Sequence, residues 1–395
     1  MKLKNLWMLM FAFVIMACSN EDSSYVEIPN EETTEETSAI LEDVFGQNIN
    51  LSNLSNYANQ NIPAYITRDN TNGNAITDEK ATVGRVLFYD KNLSVNNTIS
   101  CASCHQQAFA FSDQANVSTG VNGVTGRHSM RLVNARFSDE VQFFWDERAG
   151  TLEEQTTQPI QDHAEMGFSG QDGDPSLDDL LNKLEQLDYY QELFQFAYGN
   201  TTISEERLQE CLAQFIRSIQ SFDSRYDEGR VVVANDNQDF PNYTDQENTG
   251  KRLFVLPPNQ GGAACITCHQ APEFSIDPDS NNNGIIGVFG DTNDTDFTIT
   301  RSPSLRDIVN RNGTMNGALM HDASIATISD AIIHYNNIDA TGNPNLDNRL
   351  RGGPGGNGQS LNLTNAEMLA LEAFLKTLSG SNMYTDVKWS DPFIN

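Results

Sequence analysis

Apolar residues recur at helical spacing through the middle of the chain. From Leu177 to Tyr198 they fall at Leu177, Leu180, Leu181, Leu184 and Leu187, three or four apart. From Glu205 to Phe222 the stripe repeats with Leu208, Leu212, Phe215, Ile216, Ile219 and Phe222. Both stretches predict amphipathic helices turned toward a core. A last helix is predicted from Asn365 to Ser379, with Leu369, Phe374, Leu375 and Leu378 inward. No run alternates apolar and polar positions over a strand's length, so the pattern predicts an all-α fold. Leu41 to Asn74 is polar, Asn-rich and weakly periodic, and reads as coil with short turns. Asp227 to Asn242 reads as a connection between domains.

Order is predicted to begin at Thr77. Thr77-Asp78 and Thr244-Asp245 each have the form of a helix N-cap, the second with Glu247 completing a capping box. One cap leads into Gly84-Arg85-Val86-Leu87-Phe88 and the other into Gly250-Lys251-Arg252-Leu253-Phe254. A cysteine follows 13 and 11 residues after the respective Phe. Those cysteines open Cys101-Ala102-Ser103-Cys104-His105 and Cys265-Ile266-Thr267-Cys268-His269. Two thiols at this spacing can form thioethers with the two vinyl groups of one haem, and the adjacent His can supply an imidazole to its iron. Paired zinc knuckles and structural disulfides share the C-x-x-C part. Zinc would more naturally take four ligands from paired knuckles, and a disulfide has no use for the His. The motif therefore predicts two covalent c-type haems. The repeated order of cap, glycine, Phe and motif marks an internal duplication, two tandem cytochrome c-like haem domains at residues 76–235 and 236–395.

The 395 residues carry 24 Lys and Arg against 54 Asp and Glu, a formal charge of −30. This argues against nucleic acid and anionic membrane surfaces as partners; it serves either plain solubility or docking by charge, in which case the protein partner would be basic. Of six cysteines, four lie in the motifs, and Cys211 falls in a helical stripe as a buried free thiol. The sixth, Cys18, ends an export signal. Lys2 and Lys4 precede an apolar run from Leu6 to Ala17, too short to span a bilayer as a mature helix. Val14-Ile15-Met16-Ala17-Cys18 resembles a lipobox, so residues 1–17 read as a lipoprotein signal peptide and Cys18 as the lipidated residue. Residues 18–75 read as the lipidated N-terminus and a polar tether. The expected location is the envelope of a Gram-negative bacterium, periplasm or outer membrane, with membrane contact through the lipid alone. Asp277 to Asp296 is crowded with Asp and Asn, and its start faintly resembles a calcium loop without the sixth-position Gly or closing Glu. The Gly-rich stretch from Arg351 to Gly358 reads as a surface loop.

With these landmarks in place, Thr77 to Gly380, about three quarters of the chain, resembles the bacterial dihaem cytochrome c peroxidases, including the MauG-type enzymes. Phe144-Trp145-Asp146-Glu147-Arg148-Ala149 is similar to the family's F-W-D-G-R-A. Leu152, Gln155, Pro159, Glu165 and Met166 follow its L-x-x-Q-x-x-x-P and E-M pattern. Pro303-Ser304-Leu305-Arg306 and Met320-His321-Asp322 match its P-S-L-R and M-H turns. The resemblance implies that the first haem, on Cys101, Cys104 and His105, is the peroxidatic site. It implies that the second, on Cys265, Cys268 and His269, accepts electrons, with Trp145 as relay between them. Glu165 would move a proton from one peroxide oxygen to the other as general acid–base, and Gln155 and Pro159 would shape its pocket.

The chain departs from the family's pattern in two places. The loop Ser118-Thr119-Gly120-Val121-Asn122-Gly123 has Val121 or a neighbour where classical members carry a His ligand, so the first iron is expected to be five-coordinate. His128 stands where the family has an Asn that binds a calcium between the haems. Fourteen residues after His321 stands Tyr335, where classical members place a Met. Tyr335 is the expected second-haem ligand, as in MauG-type enzymes; Met320, His334 and an open iron are the alternatives. The expected activity is reduction of hydrogen peroxide to water with electrons from a small c-type cytochrome or cupredoxin. A MauG-type oxidase acting on a protein or organic substrate is the second reading, and a non-enzymatic dihaem carrier the third. Calcium and a homodimer are further expectations.

Overall fold

The two glycine-bearing helices announced by the duplicated caps lie at corresponding places in two separate hydrophobic cores. The structure is a computed structural model that describes residues 38–394. The signal peptide, Cys18 and the start of the tether lie outside the described residues. The described α-helices are α1 (Ala39–Phe45), α2 (Asp78–Tyr89), α3 (Cys101–Cys104), α4 (Leu152–Thr157), α5 (Leu177–Leu184) and α6 (Asp188–Tyr198). They continue with α7 (Glu205–Ser218), α8 (Arg225–Arg230), α9 (Asp245–Val255), α10 (Ile328–Asn336) and α11 (Asn365–Lys376). None of them is long and apolar enough to cross a membrane.

Local chemistry starts both glycine helices. Thr77 caps α2 by accepting from the Lys80 N–H, and Thr244 exchanges bonds with Glu247 at the start of α9. Such a cap contributes about 1 kcal/mol. In the first core α2 packs on α7, and in the second α9 packs on α11. At each crossing the glycine meets the partner's backbone. A Cβ on Gly84 would lie 2.6 Å from the Cys211 carbonyl carbon and 2.8 Å from the Phe215 Cβ. One on Gly250 would lie 2.9 Å from the Phe374 Cβ, over the Ala370 carbonyl. The motif phenylalanines repeat the geometry: Phe88 and Phe215 sit 5.2 Å apart at 55°, Phe254 and Phe374 5.3 Å apart at 57°. Between the cores, fully buried Arg306 makes two 3.0 Å bonds to Asp227. The C-terminal segment returns to the first core, where Met383 and Trp389 are buried.

Several expectations require correction. The fold is not all-α: the structure is 34% helical and contains two antiparallel hairpins. In one, β1 (His269–Gln270) pairs with β2 (Ser275–Ile276); in the other, β3 (Gly287–Val288) pairs with β4 (Asp291–Thr295). Their strands are two to five residues long, and β4 is polar and exposed throughout. They are too short to show an alternation and exist to satisfy backbone groups around a turn. Ala39–Phe45 is helical rather than coil, capped by Ser38, and buries Leu41 and Phe45. The predicted helix from 177 to 198 is broken at residues 185–187, with Leu187 extended. In one continuous helix Tyr189 would lie about half a turn from Leu180, and the break lets both face the core. Leu369 is 55% exposed, because α11 buries Ala370, Leu371 and Phe374 instead.

Candidate active site

Each C-x-x-C-H motif opens onto its own cavity. The first, about 510 Å³, is lined by Cys101, Cys104 and His105 together with Trp145, Gln155, Pro159 and Glu165. The second, about 440 Å³, is lined by Cys265, Cys268 and His269 together with Trp145, Met320 and Tyr335. The four motif cysteines are free thiols, and burial pushes Cys101 and Cys265 up to about 12 and Cys104 up to about 11. Among the described residues no three His, Cys, Asp or Glu side chains converge as a metal cluster, so paired zinc knuckles are not assembled. The His105 Nδ1 lies 3.1 Å from the Phe111 carbonyl, an arrangement that leaves Nε2 for another partner. Burial holds both imidazoles neutral, His269 down to about 4 with Arg349 adding to the effect, and its Nδ1 has no protein partner. Neutral imidazoles beside two free thiols, each set on an apolar-walled cavity, fit a covalently attached haem.

Glu165 is presented by a tight turn. The Asp162 carboxylate accepts from the Ala164 and Glu165 N–H groups at 2.8 and 3.0 Å, and Met166 anchors the next position in the core. The loop carrying Val121 is tied to this turn through its backbone. Val121 N–H donates to the Glu165 carbonyl at 2.9 Å and Asn122 N–H to the Ala164 carbonyl at 3.2 Å. The Val121 side chain contains no ligating atom, and its backbone steadies Glu165. Burial, then the neighbouring Asp162 carboxylate, raises the Glu165 carboxyl from about 4.5 to about 7, against a small opposing pull from Arg148. Gln155 reaches the same cavity from α4, which Thr151 caps.

Trp145 lies on the wall shared by the cavities. Its Nε1 donates to the His128 carbonyl at 2.8 Å, and its own carbonyl accepts from Thr300 and Arg301, each at 3.1 Å. Its ring meets that of His321 edge-on at 6.3 Å. Arg127 ties the segment down through Asp146 and Asp296, both at 2.6 Å. The His128 Nδ1 lies 3.1 Å from the Ala115 and Asn116 carbonyls, which makes the residue a strut in this wall. At the start of the calcium-like stretch, Asp277 accepts from Gln270 and from the Asp279 N–H, and pairs with Arg349.

In the second cavity Tyr335 and Met320 meet at one amide. Asn283 Nδ2 donates to the Tyr335 hydroxyl and to the Met320 sulfur, each at 3.2 Å. Its carbonyl engages His334 Nε2 at 3.0 Å, and His334 does not line the cavity. Asn283 escaped the sequence reading; the only signal was its place in the Asp/Asn-rich stretch.

Residues 78–235 match the family model for di-haem cytochrome c peroxidases. The methylamine utilization protein MauG of Methylophilus methylotrophus is 29% identical over 314 residues, covering 78% of this chain and 84% of that protein. Cytochrome c551 peroxidase of Nitrosomonas europaea is 26% identical over 322 residues, covering 78% and 82%. Among solved structures, a MauG-like protein associated with microbial copper homeostasis superposes with a TM-score of 0.67 at 26% identity, over 85% of this chain and 99% of that one. The chain belongs to the di-haem cytochrome c peroxidase and MauG family. Membership implies two c-type haems, peroxide as substrate and a cytochrome-type electron donor.

Proposed function

We propose that this protein is a dihaem peroxidase that reduces hydrogen peroxide to water with two electrons and two protons, the electrons coming from a small c-type cytochrome or cupredoxin. The observation that carries this reading is Glu165, a carboxyl raised to about 7 on the cavity that also holds Cys101, Cys104 and His105. The haem at the first motif supplies the redox chemistry when bound. The ionised Glu165 accepts a proton from the near peroxide oxygen and returns it to the departing oxygen, which leaves as water. Gln155 orients the peroxide through its amide, and Pro159 closes the pocket without offering a competing donor. His105, fixed through the Phe111 carbonyl, would hold the cofactor. Trp145, on the wall between the cavities, carries electrons from the second site to the first.

The test is Glu165→Gln in the holoprotein. General acid–base groups contribute roughly 100- to 10,000-fold, so kcat for peroxide should fall by about that factor while both haem spectra persist. Turnover within a factor of three of the parent would remove Glu165 from the mechanism. A MauG-type oxidation of another substrate is the second reading, favoured by Tyr335 and its bond to Asn283. A tyrosinate ligand stabilises the ferric state and so favours holding oxidising equivalents. Low-temperature EPR of the diferric protein beside Tyr335→Phe separates the two. A low-spin signal altered by the substitution moves weight to the oxidase, and an unaltered one removes Tyr335 as ligand. The same proposal places the protein in the cell envelope, tethered through a lipid on Cys18, with its acidic body receiving a basic donor.

A further inference from the structure

The wall between the two cavities contains buried charge that no role described above uses. Arg131, Arg301 and Ser302 each line both cavities. Arg131 is 7% exposed and Arg301 8%. Arg131 donates from Nη2 to the Ser304 carbonyl at 3.3 Å, while its Nε and the Ser302 hydroxyl are buried without a partner. Arg301 stacks over the Phe143 ring at 4.5 Å and donates from Nη1 to the carbonyls of Gln142 and Glu140. The Glu140 carboxylate stays 3.9 Å from it, too far for a hydrogen bond. Arg306 shows a charge-compensated buried guanidinium here: both arms bond Asp227, although its Nε too has no partner. By contrast, no carboxylate forms an ion pair with Arg131 among the described residues. An uncompensated buried charge is costly, and burial pushes both guanidiniums down to about 10.

We infer that Arg131, Arg301 and Ser302 form one anion site shared by both cavities, and that its ligands are propionate carboxylates, at least one from each haem. A haem c keeps two propionates after its vinyl groups have reacted, and where these are buried they need cationic donors. Planar guanidiniums suit carboxylates in particular. Sharing one site couples the two prosthetic groups through common charge. This rests on the two haems that family membership implies, and on neither the Glu165 nor the Tyr335 assignment.

A cation beside a haem disfavours the ferric state, so neutralising it lowers the reduction potential. In the holoprotein, Arg131→Gln and Arg301→Gln should each shift the ferric-to-ferrous ratio at fixed potential by about tenfold toward ferric, about 59 mV. The shift should appear in both haems by spectroelectrochemical titration, with full covalent haem content. A purely structural strut would lower the melting temperature and leave both midpoints in place, which overturns the inference. A shift confined to one haem overturns the sharing. Should the Gln variants fail to mature, Arg131→Lys and Arg301→Lys keep the charge but lose the planar fork. A smaller shift in the same direction is then expected, and unchanged midpoints overturn the inference. Parent midpoints that follow added chloride would assign the site to a mobile anion, which also overturns it.

Discussion

The equivalent glycine crossings give the sharpest structural prediction. Replacing Gly84 with Ala puts a methyl 2.8 Å from the Phe215 Cβ and 2.6 Å from the Cys211 carbonyl carbon. Non-bonded carbons prefer about 3.5–4.0 Å, so α2 and α7 must part by about 1 Å. The Cys211 carbonyl is helix backbone and cannot rotate aside. Overpacking of this kind costs about 1–3 kcal/mol, occasionally more, and losing contact along the crossing puts this case at the upper end. Ala returns about 1 kcal/mol through its helix propensity, leaving a net loss of about 2 kcal/mol. For a unit of this size that lowers the melting temperature by roughly 4–8 °C. Leu212 and Ile216 of α7 line the first cavity, and Leu371 and Leu375 of α11 the second. Gly84→Ala should therefore disturb the first haem's spectrum alone, and Gly250→Ala the second's alone. Calorimetry and visible spectroscopy of the oxidised holoproteins read both effects. Melting temperatures within about 2 °C of the parent in both variants would refute the close-crossing argument.

Further predictions follow from the site and its supports. Because Glu165 must be ionised to accept the peroxide proton, kcat/KM should rise with pH through about 7 and level off above it. Glu165→Gln should abolish that step. The same raised carboxyl stabilises the fold fully below about 4.5 and loses that contribution as pH climbs past about 7, so the Gln variant should gain on the parent across that window. Asn283→Leu removes the donor shared by Tyr335 and Met320. It should change the second haem's EPR signal and leave the first's untouched; an unchanged second signal would mean that Asn283 does not steer the ligand. Arg306→Leu strands the Asp227 carboxylate. Desolvation works to raise that group, but Arg306, Ser224 and Tyr65 outweigh it and hold it below its usual range. The variant should lose about 3–5 kcal/mol in denaturant titrations at neutral pH. In the parent, Asp227's contribution is present above its ordinary range and fades as pH falls through the depressed value.

Local features were legible in the sequence. The spacing of Cys101, Cys104 and His105 and its repeat at Cys265, Cys268 and His269 suits the two vinyl groups of one ring, and each trio lines its own cavity. The caps at Thr77 and Thr244 act within four residues. The duplicated Gly84 and Gly250 carry the same steric demand in both cores, so each stands out as a repeat. Tertiary structure alone decided the rest. The polar strand β4 pairs only because its turn brings it back, and Leu369 turned outward because α11 rotated to seat Phe374 on Phe254. Trp145 lies between the cavities because Thr300 and Arg301 hold its carbonyl from more than a hundred residues away. Asn283 joins Tyr335 to Met320, and Arg131 and Arg301 share one wall, through contacts that no short-range pattern encodes. Such pairings depend on how whole elements pack, and a side chain's place along the chain fixes its neighbours only over the few residues that one turn or cap can reach.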